Sequence, residues 1–421
     1  MFPENPRILV SKAVIVLCAP KKNRGADHLQ YFVYDALTGI DAGKLAVDLP
    51  AAGREKVPAQ AFDCHSRMAR RWRFANCGTV FSVRRRMTWN VLITSSPFAD
   101  SVGKGARDLL GGADFSIAYA PKYGPLTDAE ILPLLDGMDA VYASMDKYTA
   151  AVLASPQAAR LKVISRWGVG CDSIDAAAAT RAGIVIAYTP GLLNEAVADY
   201  AMVLLFAVAR RVHEGHISMR AGKWLPTWGH DIAGKTLGLI GCGRIGQAVA
   251  RRASGFGMRL LAFDPARSVE AERLGVRFTG LDELLAEADF VSLHAALTPE
   301  TRGLIGEAQL RRMKRSAYLI NTSRGAIVDE AALIRALHDG WIAGAALDAF
   351  VTEPLPATHP LVTTPNVLLT PHQASFGSDT GARVSEAAAR AIFECHAGRR
   401  PQWVLNPEVF DSPALRMSLS K

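Results

Sequence analysis

The stretch TLGLIGCGRIGQAVA, residues 236–250, constrains the fold of this chain more tightly than any other, because it describes a buried strand that turns sharply into a helix. Residues 237–240 are apolar in the manner of a buried parallel strand, and Gly241, Gly243 and Gly246 follow in the G-x-G-x-x-G order that opens a helix. Gly241 permits the tight turn, Gly243 lets the backbone approach a pyrophosphate, and Gly246 lets the helix lie close to the strand. The helix N-terminus adds partial positive charge. A second apolar run, 259–263, ends on Asp264, 23 residues after Gly241, where a carboxylate can accept hydrogen bonds from both hydroxyls of an adenosine ribose. The same carboxylate repels a 2′-phosphate, which favours NAD over NADP, while Arg267 three residues on works against strict preference. A lone G-x-G-x-x-G is a weak signal; strand, helix and terminal acid in register make it a strong one.

At 421 residues the chain exceeds one ordinary domain, so two domains with ample cores are expected. No apolar run reaches the ~20 residues that cross a bilayer. The longest, 200–209, is bounded by Asp199 and Arg210 and reads as a buried or dimer-packed helix. Six cysteines, at positions 18, 64, 77, 171, 242 and 395, form no C-x-x-C pair and no His/Cys metal spacing. They point to free thiols in a reducing, cytoplasmic setting and to no metal site. Within the glycine loop, the backbone of Cys242 matters more than its sulfur.

The net charge of +8 is unevenly spread: residues 1–86 hold 15 Lys+Arg against 7 Asp+Glu, and the rest of the chain balances at 33 of each. This first region shows no clear helical or strand period and carries basic clusters at 67–73 and 84–86. It reads as a nucleic-acid tail, or as a targeting peptide, against which Glu4 and the short apolar run 13–19 both speak. Two further readings are an appended disordered or accessory segment, and a true start at Met87, from which MTWNVLITSS opens on a first strand.

From Trp89 onward strand and helix alternate. Strands are expected at 90–94, 115–118, 140–143 and 161–164, with helices at 101–110 and 129–135 between them. A T-P-G turn at 189–191 marks a crossing to a second domain, entered by a helix from about Asn194. Beyond Asp264, strands are expected at 290–294, 318–321, 344–347 and 367–369, and a last helix, 380–396, returns to the first domain. Such alternation specifies α/β architecture with parallel sheets, whose ligands gather at the carboxyl ends of the strands. The loop SRWGVGCDSID after Ile164 stands at such an end, where successive amides can hold a carboxylate.

Over residues 88–409 the chain resembles the D-isomer-specific 2-hydroxyacid dehydrogenase family, through GCGRIG, HAALTPETRGLIG, NTSRGAIVDEAAL, GAALDAFVTEPL and NVLLTPHQA, in the family's order and at its intervals. The resemblance implies two Rossmann- or flavodoxin-like doubly wound domains, with the cofactor domain (191–372) inserted into the substrate domain (87–190 and 373–410) and a tail at 411–421. It implies an NAD-dependent oxidoreductase acting on a 2-oxo/2-hydroxy acid pair, a homodimer formed through the cofactor domain, and no membrane or nucleic-acid partner. Arg324 would bind the substrate's carboxylate and carbonyl, Glu353 would hold the histidine, and His372 would be the acid/base. Val169 and Gly170 would present amides to the substrate carboxylate. Cofactor residues would be Gly241, Gly243, Arg244, Ile245, Gly246, Asp264, Thr298, Thr322 and Asp348, the last at the nicotinamide end. His294, which closes a strand, reads as structural or cofactor-adjacent. The family also includes corepressors that use NAD to control assembly, which is the binding-protein alternative. Glutamine at 353, as in formate dehydrogenases, and lysine at 169, as in phosphite dehydrogenases, are both absent, and the arginine of many phosphoglycerate dehydrogenases is Ala143 here. Glyoxylate, hydroxypyruvate, branched 2-oxo acids and 3-phosphoglycerate remain as substrates, and no room is left after Pro407 for a regulatory ACT domain.

The chemistry needs these residue types. Hydride addition to a ketone leaves an alkoxide, so a proton donor that titrates near neutrality must stand within reach, and histidine is the usual choice. A carboxylate beside an imidazole favours its charged form. Arginine's planar fork grips a carboxylate in two-point fashion and aims the carbonyl. Taken singly, His372, Glu353 and Arg324 would read as a loop histidine, a solvated acid and a surface cation. Their joint order after a dinucleotide motif gives them function.

Overall fold

A computed structural model of the chain describes residues 88–420 and, before them, the backbone of three strands. Met1–Thr88 and Trp89–Lys421 are separate compact units. In the first, β1 (Val14–Lys21), β2 (His28–Asp35) and β3 (Asp41–Leu45) pair antiparallel in the order β1-β2-β3. Strands therefore form here although the sequence shows no strand period. VIVLCAPK and HLQYFVYD carry their strand signal as β-branched and aromatic enrichment rather than as strict alternation. The basic clusters at 67–73 and 84–86 lie outside the described residues.

The second unit holds two wholly parallel sheets. The first contains β4 (Trp89–Ile93), β5 (Phe115–Tyr119), β6 (Ala140–Ala143), β7 (Val163–Arg166) and β8 (Val185–Ala187), in the order β5-β4-β6-β7-β8. The second runs through β9 (Thr236–Ile240), β10 (Arg259–Phe263), β11 (Val276–Phe278), β12 (Phe290–Leu293), β13 (Tyr318–Asn321), β14 (Gly344–Leu347) and β15 (Val367–Leu369). Its order is β11-β10-β9-β12-β13-β14-β15. Every residue of β6 to β9 and of β12 to β14 is buried, as expected of parallel strands covered on both faces. Each sheet reverses its winding once, between β4 and β6 and between β9 and β12. Those reversals open crevices at the strands' carboxyl ends, where ligands bind in doubly wound folds.

Two long helices tie the sheets into lobes. Asn194–Ala209 lays Ala201, Met202 and Leu205 on the second sheet beside Leu237, Ile320 and Ala346. Ser378–His396 returns to the first sheet, packing Val384, Ala388 and Ile392 against Val91, Tyr142 and Val163. Ser165 Oγ donates to Ala388 O at 2.7 Å, and Trp167 Nε1 donates to Ser385 Oγ at 2.9 Å, which fixes that helix in register with β7.

Several expected elements shift in extent; the helix expected at 101–110 is α-helical only over Lys104–Leu110, after a 3-10 turn at Ser101–Gly103. The strand expected at 161–164 begins at Val163, because Leu161 N–H is spent on Ala158 O, closing the preceding turn. Arg166 thereby moves from loop to strand end. The helix expected at 129–135 is α-helical only over Asp128–Ile131 and continues as a 3-10 turn, Leu132–Leu135, where Pro133 offers no N–H.

Candidate active site

The glycine loop is shaped by what stands against it. At Gly241 (φ +90°) a Cβ would lie 2.4 Å from Ala295 N, and at Gly246 one would lie 2.3 Å from Gly241 O, so both positions require glycine. A Cβ on Gly243 would meet nothing within 4 Å. Gly243 caps the helix Arg244–Ser254, which has no side-chain N-cap, so the amides of Arg244, Ile245 and Gly246 are left for a ligand. Because Phe263 pairs with Ile240, Asp264 falls beside the loop: Oδ2 accepts from Cys242 N–H at 2.7 Å and Oδ1 from Ala266 N–H at 2.8 Å. Each carboxylate oxygen keeps a further lone pair for ribose. Space, free amides and a positioned acid fit a dinucleotide.

Two buried polar atoms strengthen that fit. Thr322 Oγ1, one residue past β13, and His294 Nδ1, one past β12, have no hydrogen-bond partner among the described residues, and both side chains line the cleft. His294 Nε2 lies 2.9 Å from Ser292 Oγ, and burial holds the ring's pKa down at about 4, so it is neutral. Unmet buried polar groups are costly and call for a partner.

The cleft itself has a volume of about 1070 Å³ and lies between the two sheets. From the first sheet come the Ser95–Ser96 turn after β4, Ser144 and Met145 after β6, and the loop after β7. Arg166, 7% exposed, pins that loop from within: Nε donates to Gly170 O at 3.1 Å and Nη1 donates to Trp167 O. Burial lowers its pKa to about 10, and the guanidinium remains charged. Gly168 N–H is held by Thr189 Oγ1 at 3.1 Å, while the N–H groups of Val169 and Gly170 have no partner among the described residues.

From the second sheet come Arg324, Glu353 and His372. A Cβ on Gly170 would lie 1.4 Å from Arg324 Nη2, so guanidinium and loop backbone are in direct apposition. Arg324 Nε lies 2.9 and 3.1 Å from Asp172 Oδ1 and Oδ2, with Nη2 2.8 Å from Oδ1. His372, at φ +51° after Pro371, has Nδ1 2.9 Å from both Glu353 oxygens, and Glu353 Oε1 also accepts from Phe350 N–H at 2.9 Å. With Nδ1–H committed to the carboxylate, Nε2 is the nitrogen left to exchange a proton. The set combines a carboxylate grip with a proton donor in one cleft.

Two further predicted cofactor residues have hydrogen-bond partners of their own. Asp348, 1% exposed, lies beneath the cleft wall: Oδ1 accepts from Thr370 Oγ1 at 2.6 Å and Gln373 N–H at 2.9 Å, Oδ2 from Ala374 N–H at 2.8 Å. It shapes the turn that presents His372, and burial raises its pKa. Thr298 is exposed and pairs with Thr301. Asp172 and Arg166 were missed. An acid two residues beyond the predicted amides, and a cation at the carboxyl end of a buried strand, were the available signals.

Comparison with known proteins places this architecture. The family described as "D-isomer specific 2-hydroxyacid dehydrogenase, NAD binding domain" matches residues 202–374. The glyoxylate reductase of Korarchaeum cryptofilum is 49% identical over 259 residues, 60% of this chain and 78% of that protein. That of Thermofilum pendens is 43% identical over 302 residues, 70% of this chain and 88% of that protein. The crystal structure of the TT0316 protein from Thermus thermophilus superposes with a TM-score of 0.67 at 41% identity, covering 75% of this chain and 99% of that one.

Proposed function

This chain belongs to the D-isomer-specific 2-hydroxyacid dehydrogenase family, and from that premise we propose that its cleft interconverts glyoxylate, or a 2-oxo acid close to it in size, with the 2-hydroxy acid. When bound, NADH supplies the hydride to the carbonyl carbon. Arg324 and the amides of Val169 and Gly170 hold the substrate carboxylate and turn the carbonyl toward that donor. His372 gives a proton from Nε2 to the oxygen as it gains charge, and Glu353 keeps the ring oriented. The glycine-loop amides would hold the pyrophosphate, Asp264 the ribose, and the unmet polar atoms of Thr322 and His294 would be available to the cofactor. Asp348 acts from beneath as the support of the His372 turn.

The observation that carries this reading is the two-point His372–Glu353 contact at 2.9 Å in the same cleft as Arg324 and two unpartnered amides. Steady-state NADH oxidation with glyoxylate, hydroxypyruvate, 3-phosphoglycerate and branched 2-oxo acids tests it. Turnover of glyoxylate is the expected result, and no turnover of any 2-oxo acid would undo it.

A substrate lobe, 87–190 with 373–410, and a cofactor lobe, 191–372, make up the catalytic unit, and the protein is a homodimer through the latter. The helix Val212–Arg220 has no buried residue, and after it Trp224 and Trp228 are 82% and 96% exposed. Val203 and Phe256 are exposed on the same lobe. A second copy of this chain would cover such an apolar surface. Sedimentation at micromolar concentration tests this, with a monomer as the failing result. Free thiols at Cys171, Cys242 and Cys395 agree with a cytoplasmic setting, and among the described residues no helix is long and apolar enough to cross a membrane.

A further inference from the structure

Arg324 and Asp172 belong to different lobes. Asp172 follows β7 of the first sheet, Arg324 follows β13 of the second, and 152 residues separate them. Their contact is two-pronged, with Nε and Nη2 both donating to the carboxylate, while Nη1 donates to Ser323 O at 2.9 Å. Three of the five guanidinium N–H bonds are thereby engaged, leaving one on each Nη. The neighbouring wall is the Val169–Gly170 backbone, so close to Nη2 that a Cβ at 170 would have to push the guanidinium aside. Burial disfavours the charge on Asp172, but the hydrogen bonds and charge of Arg324 outweigh it and hold the carboxyl below its usual range. The pair is charged.

We propose that Asp172 is a positioning residue: it locks the Arg324 fork against the Val169 and Gly170 amides and clamps the two lobes across the cleft, so that a 2-oxo acid's carboxylate meets a preformed site. An unrestrained arginine has a long flexible stem, and a substrate that must order it binds more weakly. Asp172 holds that order before substrate arrives. An ion pair between exposed side chains would do little, but this one is bidentate and partly buried, and both partners abut groups assigned to substrate. The proposal rests on the reading of Arg324 as the substrate-binding arginine.

Steady-state kinetics on the full chain with glyoxylate and NADH, beside fluorescence titration of NADH, separates the two. Asp172→Asn is expected to raise KM for glyoxylate about tenfold, which is ~1.4 kcal/mol, with NADH affinity held within about twofold. Asp172→Glu should recover part of the loss, and Asp172→Asn should add little to Arg324→Lys, since the two changes break one contact. An unchanged KM in Asp172→Asn, a lowered KM, which would make Asp172 a competitor of substrate, or additive losses in the double variant would each overturn the proposal. Arg324→Lys with parental KM and kcat would instead remove the underlying assignment of Arg324. If Asp172→Asn does not fold, Gly170→Ala reads the same contact from the other side: its Cβ must displace Nη2, so KM should rise, and a parental KM there also overturns the proposal.

Discussion

Nδ1 of His372 lies 2.9 Å from both carboxylate oxygens of Glu353, and the histidine reaches that position through a left-handed backbone at φ +51°. Asp348 holds that backbone by accepting from Gln373 and Ala374 N–H on the far side of the turn. The His372 ring is therefore set from two sides by two carboxylates, one gripping the ring and one shaping the chain.

Replacing His372 by Ala should lower kcat for glyoxylate reduction by ~10²- to 10⁴-fold, the usual loss when a general acid is removed. NADH affinity should stay near that of the parent if the imidazole acts, as proposed, on the carbonyl oxygen and not on the nucleotide. Parental turnover in this variant would assign the proton to another group.

Asp264 predicts the choice of nucleotide. Its two oxygens are anchored by Cys242 and Ala266 N–H, so the carboxylate cannot swing away from an incoming 2′-phosphate. Catalytic efficiency should be at least about tenfold higher with NADH than with NADPH, or ~1.4 kcal/mol, and Asp264→Ala should narrow the gap. Equal efficiencies in the parent protein would count against the assignment.

His294 predicts an acid-sensitive apo protein. Its folded pKa is about 4 against 6.5 for an ordinary histidine, so between those values the unfolded chain takes up a proton that the folded one refuses. This contribution is neutral above pH 6.5 and becomes destabilising as pH falls toward about 4, with a slope of up to ~1.4 kcal/mol per pH unit. Urea melts at pH 7 and pH 5 should show a smaller loss of stability for His294→Gln than for the parent. Equal losses would mean that the ring is not buried neutral.

A chain beginning at Met87 should unfold cooperatively and bind NADH like the full chain. Trp89–Lys421 forms a compact unit by itself and contains every group assigned to substrate and cofactor. Thermal melts and NADH titration of the two forms check this; loss of either property would show that residues 1–86 contribute to the catalytic unit.

The sequence by itself determined the architecture of the second unit from Trp89 onward. Strands 259–263, 318–321, 344–347 and 367–369 stand where the apolar runs put them, because strands buried within a covered parallel sheet demand apolar residues and that demand is local, most fully met at 318–321 and 344–347, where every residue is buried. Gly241 and Gly246 were legible for the same reason, since turn geometry and close approach depend on neighbours in the chain. The antiparallel strands of the first unit were not legible, because residues 14–35 lack the alternation that marks a half-buried sheet. Tertiary structure alone decided the rest. Asp172 and Arg324 lie 152 residues apart, and no period or motif shows that one lobe's acid meets the other's cation. Asp348 matches a cofactor motif, yet its carboxylate turns inward because three donors of the 370–374 turn converge on it. The first contact is fixed by how the two sheets pack and the second by how neighbouring strands of one sheet end, relations between distant residues that local pattern does not encode.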